Sequence, residues 1–583
     1  MKDTILVETC HFDDPGGWVI DQQFIRQMGN PFLLAHGLGE PVKDAKTLLR
    51  SVDPGGYHFW VRTRNWAAAW RKDLAEKDCP GRFKVLINGK ETDRVFGTGS
   101  KEWAWEYGGT CILEATGNEV ALRDLAGFDA RCDALVFSKT EQLELPDSPA
   151  AFEAFRELQG NKQPAELHEF DFVVVGGGVA GICASVAAAR KGLKVALIHD
   201  RPILGGNNSS EVRVQLGGKV NLHPYEALGT VVNEIDHKTN RNARPAEEYR
   251  DDLKMAVVRA EKNLHLFLNT TIQSATVTDG IIRTISGYNI RNGQCYRFKA
   301  ALFSDCTGDA TLGYLAGADY REGRESKKET GEPLAPDEPD HMTLGTSVMW
   351  YSDETDQQQQ FPETPWAIPF TEETCQKAKK GDWDWETGIG RNHIEDFEYI
   401  RDYGLMAVFG NWSFLKNASS LKEEYQNRKL MWVAYIGGKR ESRRLMGDVI
   451  LSQHDIQQEV MYPDACVTTS WSIDLHEPKV MDQFGYEPFR ARARKTRIEP
   501  TTIPYRSFYS RNIRNLFMAG RNISVTHVAL GAVRVMKTTG MMGEVVGLAA
   551  ACCIKKDLLP RALYDIEPDY LKDTLKEGVP GRT

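Results

Sequence analysis

The stretch from His168 to Gly181, His-Glu-Phe-Asp-Phe-Val-Val-Val-Gly-Gly-Gly-Val-Ala-Gly, constrains this chain more than any other. Phe172 to Val175 is an apolar, β-rich run, and Gly176, Gly178 and Gly181 follow it in the G-x-G-x-x-G spacing. One helix length later, Leu193 to Ile198 reads as a second strand. A strand, a glycine turn, a helix and a strand make the opening of a dinucleotide-binding unit. Gly176 permits the tight turn, Gly178 lets backbone approach a pyrophosphate, and Gly181 lets the helix pack close to the strand. Around Val179 and Ala180 the helix start offers unpaired N–H groups and a partial positive charge to phosphate.

Bulk properties narrow the class. At 583 residues the chain has room for roughly two to four domains. Apolar residues are 41% and charged residues 26%, the ordinary balance of a globular protein. With a net charge of −9 there is no basic surface for a phosphate backbone or anionic lipid, so neither nucleic acid nor membrane is expected as a partner. No apolar run approaches the ~20 residues that cross a bilayer. Met1-Lys2-Asp3-Thr4 lacks the apolar core of a secretion signal, which points to the cytoplasm, or to the periplasm if a signal has been trimmed. Eleven cysteines are scattered without a C-x-x-C pair and read as reduced thiols. No His, Asp or Glu grouping has metal-ligand spacing, so no metal is expected.

Residues 1–140 alternate strand-like runs such as Tyr57 to Arg62, Phe83 to Ile87 and Ala134 to Phe137 with Gly, Pro, Asn and Asp turns; Asn88-Gly89 is a hairpin signal. They predict a β-sandwich. Trp60, Trp66, Trp70, Trp103 and Trp105 gather there, either to stack on sugars or to fill the sandwich core. Residues 141–167 read as a linker with a short helix at Ala150 to Leu158 and a break at Gly160 to Pro164. Residues 168–320 hold the first part of the dinucleotide domain. A further parallel strand lies at Leu264 to Asn269, and three alternating runs between Ile272 and Phe303 form an antiparallel meander. The last of these enters a Thr307-Gly308-Asp309 turn. Residues 321–500, rich in Trp, Asp and Arg, carry no nucleotide signature and read as an inserted substrate or cap region. Residues 501–555 return with a buried strand at Asn515 to Asn522, then a long amphipathic helix over Gly531 to Ala551; 556–583 is a C-terminal tail.

Three pieces far apart in the chain together carry a resemblance: the glycine turn, Asp305-Cys-Thr-Gly-Asp309, and Met518-Ala-Gly-Arg-Asn-Ile-Ser524. They resemble FAD-dependent oxidoreductases of the glutathione-reductase-like class with a fumarate-reductase-like split. Asp200 to Glu211, Gly438 to Arg444 and Thr526 to Gly531 look like a bacterial subfamily of that name, in which a β-sandwich precedes the flavin domain. The fold this implies is α/β with added β: an FAD-binding, Rossmann-like three-layer domain with a β-meander, an inserted α+β substrate domain and an N-terminal β-sandwich. The resemblance implies non-covalent FAD, with its pyrophosphate on Gly176, Gly178 and Gly181. The acid expected at the end of the second strand for the adenosine ribose is replaced by His199, with Asp200 and Arg201 next. Gly205, Gly206, Asn207 and Ser209 would lie under the pyrophosphate and isoalloxazine. Thr307, Gly308 and Asp309, with Gly520 and Arg521, would close over the ribityl chain and phosphates. Backbone from Ala529 to Ala532 would face the flavin N1–O2 edge. No second G-x-G-x-x-G follows residue 181, so electrons are expected to pass to oxygen or a separate acceptor.

Flavin chemistry needs a group that moves a substrate proton, and histidine is the usual one. His527 lies between the Gly-Arg turn and the last helix; His476 lies in the substrate region with Asp474 two residues away on one strand face. Glu211 and Arg213 would touch substrate beside the flavin, and Arg440, within Arg440-Glu-Ser-Arg-Arg444, would clamp an anion. The function expected is hydride transfer between a polar small molecule, plausibly a sugar or sugar derivative, and flavin N5. Two alternatives stay open: a redox-neutral glycoside-cleaving or eliminating enzyme that oxidises its substrate transiently, and a glycan-binding protein on a retained flavin fold. A homo-oligomer is compatible with either.

Overall fold

The computed structural model describes residues 4–50, 52–158, 165–238 and 241–582; the break expected at 160–164 lies outside them. Strand β1 (Glu166–Val175) runs into the glycine turn and helix α1 (Val179–Arg190), and β2 (Val195–Ile198) returns beside β1. Then come β3 (Leu264–Phe267) and the meander β4 (Thr270–Thr278), β5 (Ile281–Asn289) and β6 (Cys295–Asp305). A long excursion with helix α2 (Phe397–Asn417) and strand β7 (Ile473–Pro478) precedes β8 (Leu516–Met518), α3 (His527–Val533) and α4 (Met536–Lys556).

Strands β3, β2, β1 and β6 lie side by side in parallel. Besides β1, β6 serves two partners along its other edge: its first residues pair antiparallel with β5, its last three parallel with β8. Phe172, Val173, Val174 and Val175 are all buried, as a parallel strand covered on both faces requires. The register sets Val175 beside Ile198 and Asp305, and Asp305 beside Met518. Four strands therefore end in one row, and the crevice beyond such a row is where open α/β sheets bind ligands.

Helix α1 packs on α4 with almost no gap: a Cβ on Gly543 would lie 2.1 Å from the Ala180 carbonyl oxygen, and one on Gly547 2.3 Å from that of Ala184. The single amphipathic helix expected over 531–551 is instead two helices. Val535 is extended (φ −68°, ψ 144°), and the Lys537 N–H bonds Gly217 O at 3.0 Å, which turns the axis between α3 and α4. Nor is α4 amphipathic. It is buried between α1 and the C-terminal helices Pro560–Ile566 and Pro568–Glu577, so apolar residues cover most of its faces.

The N-terminal module has two four-stranded sheets. One orders Thr4–Glu8, Ala134–Ser138, Gly55–Thr63 and Ala104–Leu113; the other orders Ala45–Leu49, Asn118–Asp124, Phe83–Ile87 and Lys90–Glu91. Phe59, Phe83, Val85, Leu122 and Leu135 are among the residues of its core. The tryptophans do something neither expectation covered. Trp66 meets Trp366 of the inserted region edge-on at 5.1 Å, Trp70 meets Tyr399 at 4.5 Å, and Trp103 donates to Glu398 at 3.1 Å. Trp60 and Trp105 pack on the helix Pro149–Leu158 through Phe155 and Phe152. Most of these indoles fill seams between the module and its neighbours, because joining two bodies needs large apolar area with a polar handle. Charge reinforces the seam: Arg401 of α2 pairs with Asp21 at 2.8 Å, and Arg131 pairs with Asp402 at 2.7 Å, all four side chains fully buried. No described helix is long and apolar enough to cross a membrane.

Candidate active site

Each glycine of the first turn has its own constraint. Gly176 sits at φ +106°, and a Cβ there would lie 2.3 Å from Cys306 O. At Gly181 a Cβ would lie 1.8 Å from Gly176 O, so the helix could not approach the strand. Gly178 has ordinary backbone angles (φ −70°, ψ −178°), and a Cβ there would meet no protein atom within 4 Å. Its open face looks into a cleft. Gly178 caps α1 without any side-chain bond to the first turn, leaving the helix N-terminus for an anion. The second glycine pair is stitched to the first by Gly205 N–H to Gly177 O at 2.8 Å.

The cleft, about 1340 Å³ of atom-free space, is lined at one end by Asp200, Arg201 and Thr270 to Ile272, and at the other by Asn207, Asp309 and Arg521. Val179, Ala180, Gly205, Gly206, Thr307, Gly308 and Gly520 also line it. The glycine turn and the Arg521 turn, more than half the dinucleotide domain apart in sequence, thus share one cleft. Asp309 holds this end together: Lys439 at 2.6 Å, Arg521 at 2.7 Å and Ser442 Oγ at 2.7 Å all bond its carboxylate. Burial would raise that carboxyl, but Lys439 and Arg521 outweigh it and hold it far below the usual carboxylate range. An elongated cleft with a phosphate-accessible glycine face and a helix N-terminus fits an extended dinucleotide.

Several expected contacts lie elsewhere. His199 borders the cleft, but its ring nitrogens are engaged by backbone: it is buried, its Nδ1 accepts from Gly177 N at 3.0 Å and its Nε2 donates to Ile203 O at 3.0 Å. Both nitrogens are spent bracing the glycine turn, and burial lowers the imidazole pKa. The exposed neighbour Asp200 lines the cleft beside it. Ser209 is fully buried and donates to Gly206 O at 2.6 Å, fixing the loop from behind. Glu211 lies behind Arg201, paired with it at 3.3 Å. Arg213 turns away at φ +63° and covers the Trp432 ring at 4.2 Å.

Helix α3 does not point at the cleft. Its N-terminus is taken by buried acids: the His527 N–H donates to Glu325 at 2.9 Å, and the capping Thr526 hydroxyl donates to Glu332 at 2.6 Å. Ala529 and Ala532 are consequently fully buried and line no part of the cleft. His527 follows the same logic. It is buried with Nδ1 on Glu441 at 2.9 Å, outside the cleft. His527 and Arg444 overcome burial to hold Glu441 at about 2. The residues that do enter from this segment are Arg534, Val535, Met536 and Thr539, at the break between α3 and α4.

A second chamber, about 1070 Å³ of atom-free space, joins the cleft through Asn207, Lys439, Arg521, Arg534 and Met536. His476 of β7 lines it. Its Nδ1 donates to Glu386 at 2.6 Å; Asp474, the partner expected from sequence, is 3.7 Å from Nε2 and has the lesser hold. Burial would raise the Glu386 carboxyl, but Arg440 and His476 overcome it and set it at about 2. Arg440 also donates to Ser347 Oγ at 2.7 Å and Trp383 O at 2.8 Å. With Nη1 donating to Gly345 O at 3.2 Å, both terminal nitrogens of the expected anion clamp are engaged with protein. Arg534 Nη2 lies 3.1 Å from His476 Nε2 and 3.5 Å from Asp474, and its Nε has no partner among the described residues. Burial, then Arg440, lowers the Arg534 pKa, yet an arginine starts too high to lose its charge. The indoles of Trp383 and Trp471 complete the wall. Sequence reading missed Lys439, Glu386, Trp383, Trp471 and Arg534. Of these only Arg534, a lone charge among Ala, Gly, Val and Met, stood out in principle.

The model of the FAD dependent oxidoreductase family matches residues 171–575, and the chain belongs to that family; FAD is its cofactor. A search of curated proteins finds no match. Among solved structures, the chain is similar to a geranylgeranyl bacteriochlorophyll reductase-like protein from Thermoplasma acidophilum, at 12% identity over 71% of this chain and 83% of that one, with a TM-score of 0.32. It is similar to the myxobacterial chondrochloren halogenase at 11% identity, over 69% of this chain and 78% of that one, TM-score 0.33. A family 35 carbohydrate-binding module from Clostridium thermocellum aligns at 12% identity with 23% of this chain and 96% of its own length, TM-score 0.18.

Proposed function

We propose that this FAD enzyme is a dehydrogenase or oxidase of a small polyhydroxylated acid, of the sugar-acid type, with His476 moving the substrate hydroxyl proton. The observation that supports it is the chamber joined to the cofactor cleft, where a Glu386-oriented imidazole and the Arg534 guanidinium meet. FAD, when bound, would supply the two-electron chemistry, with oxygen or a separate acceptor as the final electron sink. The protein's part is proton handling and positioning. With Nδ1–H committed to Glu386, Nε2 carries the lone pair that can take a hydroxyl proton. In this structure that lone pair faces Arg534. A substrate carboxylate draws the guanidinium to itself and frees Nε2 in the same movement. Lys439, Arg440, Lys495, Arg521 and Arg534 line the chamber, and Asp309, Glu386 and Asp474 offset only part of that charge, which favours an acid over a neutral sugar. Trp383 and Trp471 offer faces for a sugar ring. The free thiols suit a reducing compartment, so we place the protein in the cytoplasm.

The test is anaerobic addition of neutral sugars and of the matching sugar acids to the yellow holoenzyme, following loss of the flavin absorption band. Faster bleaching by acids is expected; bleaching by neutral sugars alone refutes the anion assignment.

A further inference from the structure

The N-terminal module lies wholly outside the family match at 171–575, yet two of its residues, Gln22 and Gln23, line the cofactor cleft. They follow the short strand Val19–Asp21, and that turn is held from three sides. Asp21 is locked by Arg401 at 2.8 Å. Gln23 Nε2 donates to Asp21 at 2.9 Å and to Tyr435 O at 2.9 Å. Gln23 Oε1 accepts from Gly437 N at 2.9 Å. Both ends of the Gln23 amide are therefore spent on fixing the turn against the inserted region.

Gln22 is the opposite case. Its residue is 6% exposed, it faces the cleft, and no described hydrogen bond engages its side-chain amide. The residue is nearly buried while its amide atoms are not sealed off by protein, so what fills the cleft is left to satisfy them. The rigid turn makes the point stronger, since Gln22 is carried by anchors on both sides, Asp21 and Gln23.

We propose that Gln22 is a cofactor ligand contributed by the N-terminal module, its amide hydrogen-bonding bound FAD, so that the module is a wall of the flavin site and not an appendage. The module's presence then governs FAD retention directly. Its tryptophan seam and buried ion pairs hold that wall in register.

The experiment compares the full-length holoenzyme with its Gln22→Met variant, which keeps volume and removes the amide. Serial dilution, read by the fluorescence of released FAD, gives the dissociation constant, and far-UV circular dichroism checks the fold. A three- to tenfold weaker FAD constant with unchanged fold is expected, the scale of one neutral hydrogen bond. Hydrogen exchange on the wild-type chain is the second readout: the peptide spanning Val19 to Phe24 should exchange more slowly with FAD than after FAD depletion. A folded Gln22→Met protein with wild-type affinity overturns the proposal. So does FAD-dependent protection confined to residues beyond 165, which decides the matter even where the variant fails to fold.

Discussion

Two alanine substitutions one helical turn apart separate what the glycine loop does for the fold from what it does for FAD. At Gly181 a Cβ would sit 1.8 Å from Gly176 O and 3.2 Å from Cys306 Cβ. Relief requires α1 to move away from β1 by more than an ångström, on the order of the overlap itself. But eleven of the twelve residues of α1 are buried, and α4 is already pressed against its other side. Gly181→Ala therefore belongs at the top of the overpacking range, about 3 kcal/mol or more. At Gly178 the same atom meets nothing within 4 Å, and φ −70° suits alanine, so Gly178→Ala should leave stability within about 0.5 kcal/mol. Its methyl group instead enters the space a pyrophosphate must approach. Loss of FAD affinity of at least ~100-fold is expected, or about 2.8 kcal/mol at 1.4 kcal/mol per tenfold. Urea unfolding of FAD-depleted protein reads the first quantity; flavin content after gel filtration reads the second. A Gly178→Ala protein that keeps FAD like wild type, or one as destabilised as Gly181→Ala, refutes the division of roles.

His476→Ala should slow anaerobic flavin reduction by a sugar-acid substrate by about 10²-fold or more while leaving FAD content unchanged; an unaltered rate removes His476 from proton transfer. Glu386→Gln should also slow reduction, because it loosens the tautomer that keeps Nε2 basic, and a shifted pH profile would mark the effect as one of positioning. Asp402→Ala leaves Arg131 buried without its main partner and should cost about 3–5 kcal/mol by denaturant unfolding, where less than 1 kcal/mol would contradict the clamp. Glu544 of α4 accepts backbone N–H bonds from Gly229 and Val231, both at 2.7 Å, yet burial pushes its carboxyl from 4.5 up to about 7. A raised folded-state pKa gives stability that is full below 4.5 and is lost as pH rises toward 7. The wild type should lose that increment across the window while Glu544→Gln does not, as paired thermal melts would show.

The parallel sheet and the glycine turn were legible because local sequence fixes them: an apolar run buried on both faces, then Gly176 and Gly181, whose φ or crowding admits nothing else. The β6 strand and its Thr-Gly-Asp turn were readable for the same reason. Orientation was not legible where distant charge decides it. Helix α3 looked like a flavin-facing terminus, but Glu325, Glu332 and Glu441, from two other segments, claim its His527 N–H, its capping Thr526 hydroxyl and the His527 imidazole. His199 occupied a ribose-binding position by spacing, and Ile203 O with Gly177 N captured both its nitrogens. Glu386, which orients His476, lies 90 residues upstream with no local pattern to announce it. Gln22 lies further still, in a module whose periodicity speaks only of its own core.

The Asp21–Arg401 and Arg131–Asp402 pairs carry a consequence for the chain as an evolving unit. Neither half of the seam is neutral once parted: severing the chain ahead of Glu166 would take Asp21 from Arg401 and Arg131 from Asp402, leave those two α2 residues only each other at 2.8 Å, and bare the aromatic seam to water. Two bodies joined by this device are obliged to travel, fold and mutate together.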